Sequence, residues 1–176
     1  MTPRTNDQIV EAFANETSRN IKVNSLFIEG NTIYSYGHHY PLAMHVTNDI
    51  VLINDTGYSP TTSKHIGLAM TYTRNKKQVF ISECSPYHVL TQMEELKAKL
   101  DKARKPHIYA EQIQRLYNLF DENARTLLGF YILKHYNGFF SKNTAFEFME
   151  WHNVPKSYTD TLGKIIDIYK SSLKYQ

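Results

Sequence analysis

Two short stretches gather the side chains that most often touch ligands. They are Tyr34-Ser35-Tyr36-Gly37-His38-His39-Tyr40-Pro41 and Tyr58-Ser59-Pro60-Thr61-Thr62-Ser63-Lys64-His65. An apolar, strand-like segment from Leu42 to Ile53 separates them. If a helix starts in the second stretch, Thr61, Thr62 and Ser63 stand beside its first N–H groups, where the helix dipole favours an anion, and Lys64 adds a charge suited to phosphate. The same hydroxyls suit an ordinary helix cap. His65 falls one turn further in, as a ligand, a proton donor or a histidine hydrogen-bonded beneath a sheet. Tyr36, His38, His39 and Tyr58 complete the candidate contact residues of this region.

Other chemistries need spacings the chain lacks. His38 and His39 are adjacent, so on an extended segment they point to opposite faces and do not chelate one ion together. His39, His45 and His65 make a conceivable trio, but no carboxylate or cysteine stands at motif spacing beside them, and no metal or other cofactor is expected. General acid–base chemistry on His39, Lys64 and His65 would describe a phosphodiester-cleaving or nucleotide-modifying enzyme. No nucleophile or phosphate-loop signature accompanies it, so no catalytic residue is assigned. The lone Cys84, placed at a strand end, is expected to be a small core residue.

A second candidate surface lies in the other half. Lys97, Lys99, Lys102, Arg104 and Lys105 are interrupted by one charged residue of opposite sign, Asp101. With Leu96, Leu100 and Ala103 turned inward, these cations form one flank near a helix C-terminus, where positive charge is favoured in any case. Beyond that solvated-face reading, His107, Tyr109 and Arg115 follow closely, and such a strip suits phosphate contacts. Nothing here resembles a recognition helix that reads bases.

The elements that must hold these residues follow from periodicity. Asn6 or Asp7 is expected to cap a short helix with Ile9, Val10 and Phe13 on its apolar side, ending near Asn15. Leu26-Phe27-Ile28 and Thr32 to Tyr36 flank Gly30 as a hairpin, and Leu42 to Val46 with Ile50 to Ile53 make a second. A helix capped by Thr61 or Thr62 and a strand from Gln78 to Ser82 follow. From Ser85-Pro86 the period becomes helical: Val89, Met93, Leu96, Leu100 and Ala103 mark one helix that stops before Pro106. A longer run from Ile108 to His135 has a potential break at Asp121-Glu122-Asn123, and Asn137-Gly138 reads as its stop. Two further helices are expected, about Thr144 to His152 and Tyr158 to Leu173. The fold class is therefore α+β: a small antiparallel sheet with flanking helices in residues 1–84, then an all-helical domain in 85–176.

Bulk properties narrow the function classes. The 176 residues carry a net charge of only +3, so any nucleic-acid binding must come from a local patch. Seven basic and seven acidic residues precede position 85, and thirteen basic and ten acidic follow, which puts the excess in the helical half. One cysteine excludes an internal disulfide, and no apolar run approaches the roughly 20 residues a membrane span needs. The absence of a secretory leader pattern points to the cytoplasm. Thirteen tyrosines favour interfaces, and the aromatic-rich stretch from Tyr117 to Trp151 offers a face that a homodimer would close.

Three blocks carry a resemblance: Ser25 to Gly30 with Thr32 to Gly37, His39 to Ala43, and Tyr58 to His65. Over roughly residues 5 to 82 the chain resembles a small domain of unknown function found in bacteriophages and prophages, and it is similar to Cas9-directed anti-CRISPR proteins. Pro60 departs from that pattern, which has a β-branched residue there. The resemblance implies a phage accessory protein in a bacterial host, with Cas9 and its guide RNA as the partner and double-stranded DNA as a further ligand. The expectation is thus a non-enzymatic binding protein that inhibits or regulates a host nucleic-acid-handling system. The alternatives are the acid–base enzyme above and a structural or assembly protein of the phage particle.

Overall fold

In the computed structural model, which describes residues 2–57, 59–134 and 156–176, the Thr5 hydroxyl accepts from the Gln8 N–H and starts helix α1, Asn6–Ala14. The cap is thus Thr5 and not Asn6 or Asp7, because the Asn6 side chain is engaged by tertiary partners. Ile9, Val10 and Phe13 recur at helical spacing and are buried. Each such side chain taken out of water contributes roughly 2 kcal/mol.

The sheet has six strands in the order β1-β2-β3-β4-β5-β6: Asn20–Val23, Leu26–Glu29, Thr32–Ser35, Pro41–Thr47, Ile50–Ile53 and Lys77–Phe80. The first five form an antiparallel meander. Two of its turns need a left-handed residue, and Asn24 (φ 54) and Gly30 (φ 59) supply it. β6 runs parallel to β5. A parallel neighbour requires a crossover, which helix α2, Pro60–Tyr72, provides. α1 and α2 bury Ile9, Phe13, Ile66 and Ala69 with Leu26, Ile28, Ile33 and Ile53 of the sheet.

Two features of this sheet differ from expectation. β1 is an additional edge strand, Asn20-Ile21-Lys22-Val23, whose alternation of polar and apolar residues is only four residues long and buries Val23 alone. The last strand ends at Phe80, because Ile81–Cys84 winds into a one-turn helix, α3. Cys84 is fully buried on that turn and not at a strand end.

The chain divides into two units, Met1–Ile81 and Ser82–Gln176. The second contains α4, Pro86–Leu100, α5, Pro106–Lys134, and α6, Lys156–Ser172, followed by a 3-10 turn at Leu173–Tyr175. α4 packs on α5 and α6, and α5 packs on α6. Val89, Met93, Leu100, Ala110, Ile113 and Ile165 are buried, and the Tyr117 and Tyr169 rings stack 4.0 Å apart. α5 passes through Asp121-Glu122-Asn123 without a break, since Glu favours a helix and Asp and Asn each cost well under about 1 kcal/mol within one. Tyr58, Asn137-Gly138, the expected Thr144 to His152 helix and most of the aromatic stretch after Phe120 lie outside the residues described. Among the described residues, no helix is long and apolar enough to cross a membrane.

Candidate nucleic-acid interface

Proline decides how the second cluster is built. Pro60 fixes a helical φ for itself, and Ser59 before it is extended (φ −154, ψ 165), so Ser59 becomes the N-cap of α2 in place of Thr61 or Thr62. The Ser59 hydroxyl accepts from the Thr62 N–H at 3.1 Å and lies 3.0 Å from the Thr62 hydroxyl. The Ser59 carbonyl accepts from both the N–H (2.9 Å) and the hydroxyl (3.1 Å) of Ser63. The hydroxyls of Ser59, Thr62 and Ser63 and the N–H groups of Thr62 and Ser63 are thus engaged in starting the helix. Thr61 and Lys64 are exposed beside them, while Thr62 is buried.

His65 is 2 % exposed. Asn6 Nδ2 donates to its Nε2 at 3.3 Å, which leaves the proton on Nδ1, and Nδ1–H donates to Ser35 Oγ at 2.8 Å. Asn6 Oδ1 in turn accepts from Asn24 Nδ2 at 3.1 Å. Burial lowers the His65 pKa, because an imidazolium would lose its hydration. The ring therefore pins α2 to β3 and α1 as a neutral group. Ser35 and Asn6 were invisible as its partners in the sequence: Ser35 lies thirty positions before His65, and no local pattern joins them.

The first cluster lies at the β3–β4 connection, and three of its residues reach solvent. Tyr36 is 59 % exposed with a left-handed backbone (φ 65), a strained conformation for a residue with a bulky side chain. His38 Nε2 pairs with Glu29 Oε2 at 2.9 Å, and its ring stands 4.9 Å from that of Phe27. Both partners are more than half exposed, so the pair contributes at most about 1 kcal/mol. The His39 ring covers Gly37 so closely that a Cβ there would lie 2.7 Å from His39 Nδ1. A shallow groove of about 550 Å³ runs beside Lys22, Phe27, Glu29, Tyr36 and His38.

The three histidines of the conceivable metal trio are held apart in their roles. His45 Nε2–H donates to the Phe13 carbonyl at 2.8 Å, while its buried Nδ1 has no hydrogen-bond partner and lies 3.7 Å from Glu16 Oε1. Burial lowers the His45 pKa against the opposing pull of the Phe13 carbonyl. Among the described residues, no three His, Cys, Asp or Glu side chains are grouped to hold a metal. His65 is buried with both nitrogens bonded, whereas His39 and Lys64 are exposed, so these three present no common solvent-facing set.

The cationic strip is arranged differently. α4 ends at Leu100, short of the expected stop before Pro106, so Lys102, Ala103, Arg104 and Lys105 lie on the connection to α5, residues 101–105, and not on the helix. Lys97 Nζ lies 2.5 and 2.6 Å from the two oxygens of Asp101, four residues on, so its charge is compensated within the helix end. Lys99, Lys102, Arg104 and Lys105 are exposed. Among the described residues, none of these four side chains has a hydrogen-bond or ion-pair partner. The C-terminal end of the α4 dipole offsets part of their mutual repulsion.

Past the strip, the first turns of α5 expose His107, Ile108 (44 %), Gln112 and Arg115, with Ile108, Gln112 and Arg115 spaced to share one face. Tyr109 is half-buried and lines a shallow groove of about 530 Å³ with Glu95, Ala98, Lys99, Lys102 and Ala103. The strip was evident in the sequence; its groove was not, because the helix turn alone brings residues 95–99 beside Tyr109. In comparisons with family models, curated proteins and solved structures, nothing matches this chain.

Proposed function

We propose that this chain is a non-enzymatic binding protein that contacts nucleic acid, alone or within a nucleic-acid-handling assembly, through the strip Lys99, Lys102, Arg104 and Lys105. The supporting observation is a contrast inside one run of cations: Lys97 is neutralised by Asp101, and the four that follow are exposed without an acidic partner among the described residues. Like charges held together raise the energy of the free protein, and a phosphate backbone relieves that repulsion while releasing counterions. Contacts of this kind, to phosphates and not to base edges, position a strand and are indifferent to its sequence.

The test is a duplex-DNA shift at two salt concentrations with the variant Lys99→Glu/Lys102→Glu/Lys105→Glu. Each lost phosphate contact reduces the salt slope by about 0.9, so three reversals should weaken binding by roughly a hundredfold at low salt and flatten its salt dependence. Guide-loaded Cas9, the partner implied by the phage resemblance, serves as a second probe in a pull-down. Retention by neither probe, or retention that the triple reversal leaves unchanged, overturns the proposal.

A further inference from the structure

We infer that the groove between α4 and the start of α5 is a subsite for one unstacked base of a single-stranded nucleic acid, an inference that rests on the nucleic-acid reading above and specifies its ligand. The groove is amphipathic in a way a phosphate rail alone does not need. Its lining joins two small apolar side chains, Ala98 and Ala103, to the half-buried aromatic ring of Tyr109, and two of the unpaired cations, Lys99 and Lys102, also line it.

Each part of that lining matches one part of a nucleotide. A phenol ring offers a π-face on which any base stacks, and the methyl-sized residues leave room for a flat ring beside it. Ammonium groups at the same groove answer the phosphates that flank the base. Glu95 is the one acid in the lining: it repels phosphate but accepts a hydrogen bond from an exocyclic amine, as on cytosine or adenine. The volume, about 530 Å³, falls within the span of roughly 300 to 1,000 Å³ common for small-ligand sites.

A duplex does not use such a site. Its bases are stacked on both faces and paired along their edges, so it meets the lysines and leaves the groove empty, whereas a single strand splays a base into it. Single-strand preference should therefore depend on Tyr109, and phosphate attraction should not.

Fluorescence anisotropy of the full chain with a labelled single-stranded 12-mer and the duplex of the same length separates the two. Tyr109→Ala should weaken the single strand roughly tenfold, the size of one lost base–aromatic stack, and change the duplex by less than about twofold. Tyr109→Phe should retain single-strand affinity. Because Tyr109 is half-buried, the exposed Ala98→Leu provides a second route: it fills the groove from a helix surface and should produce the same selective loss. Lys99→Glu/Lys102→Glu should weaken both ligands. If Ala98→Leu and Tyr109→Ala spare the single strand, or weaken both ligands equally, the base subsite is overturned while the phosphate contacts stand. If the lysine reversals change neither ligand, the phosphate reading fails as well.

Discussion

The α2 N-terminus and the α4–α5 connection are both rich in polar side chains, yet they treat them in opposite ways. At Ser59 to His65, the hydroxyls of Ser59, Thr62 and Ser63 bond to one another or to the first turn, and His65 is closed in between Ser35 and Asn6. At Lys99 to Lys105, four cationic side chains stand in solvent with no partner among the described residues. The first arrangement follows from folding itself, since a buried polar group must find a partner or cost about 1–3 kcal/mol. The second is not explained by folding, because exposed like charges add little or no stability. Residue types that suit ligands therefore locate a site only where the fold leaves them unsatisfied.

His65 carries the most stability of the polar groups at the α2 N-terminus. Replacing it with Ala should destabilise the protein by about 2–3 kcal/mol, through a cavity under α2 and the loss of the Ser35 and Asn6 hydrogen bonds. DNA affinity should stay within about twofold of the parent at temperatures where both are folded. Urea denaturation and anisotropy on the same preparation check both halves. A stable His65→Ala protein with impaired binding would reverse the assignment and make the α2 cluster the working site.

What was legible in the sequence divides along the same line. The two central hairpins, α1, α4 and the α+β class follow from periods of two and of three to four, because burial on one face imposes them. β1 was not legible, since its polar–apolar alternation, Asn20-Ile21-Lys22-Val23, spans only four residues and is too short to stand out as a strand. The parallel pairing of β6 is a long-range outcome of the α2 crossover and leaves no mark in residues 77–80. The cap of α2 turned on a single residue: Pro60 moved it to Ser59, which engaged the hydroxyls otherwise available to an anion. The cation strip was legible because charge clustering needs no tertiary partner to be seen. The neutralisation of Lys97 was legible only as an i, i+4 spacing to Asp101.

A smaller effect comes from pH. His45 and His65 both have pKa values lowered by burial from the ordinary 6.5, so the folded chain holds fewer protons on them than the unfolded chain does just below that pH. Stability should then be full above about pH 6.5 and should fall as the pH drops through the window between 6.5 and the lowered folded values. Below that window the loss from these two groups levels off. Glu16, 3.7 Å from His45 Nδ1, limits the loss at His45, and Lys76, 3.1 Å from the same carboxylate, opposes that help. Denaturation midpoints taken from pH 8 to pH 5 should decline in this range, and a flat profile would show that the two imidazoles are not held neutral.

Lys97 is half-buried where its neighbours are exposed, and it has Asp101 within 2.6 Å, so removing the acid should release it as a fifth available cation. Asp101→Asn keeps the size and hydrogen-bonding capacity of the side chain at the end of α4, and an exposed helical pair contributes only about 0.3–0.5 kcal/mol, so folding should hardly change. DNA affinity at low salt should rise about two- to fivefold, with a steeper salt dependence by about one contact, while Lys97→Gln in the parent should leave affinity nearly unchanged. If Asp101→Asn has no effect on affinity, pairing is not what separates Lys97 from Lys99, Lys102, Arg104 and Lys105. The strand would then pass on the far side of the connection, near Ile108 and Arg115, and the lysines of the helix end would not be the contacts that hold it.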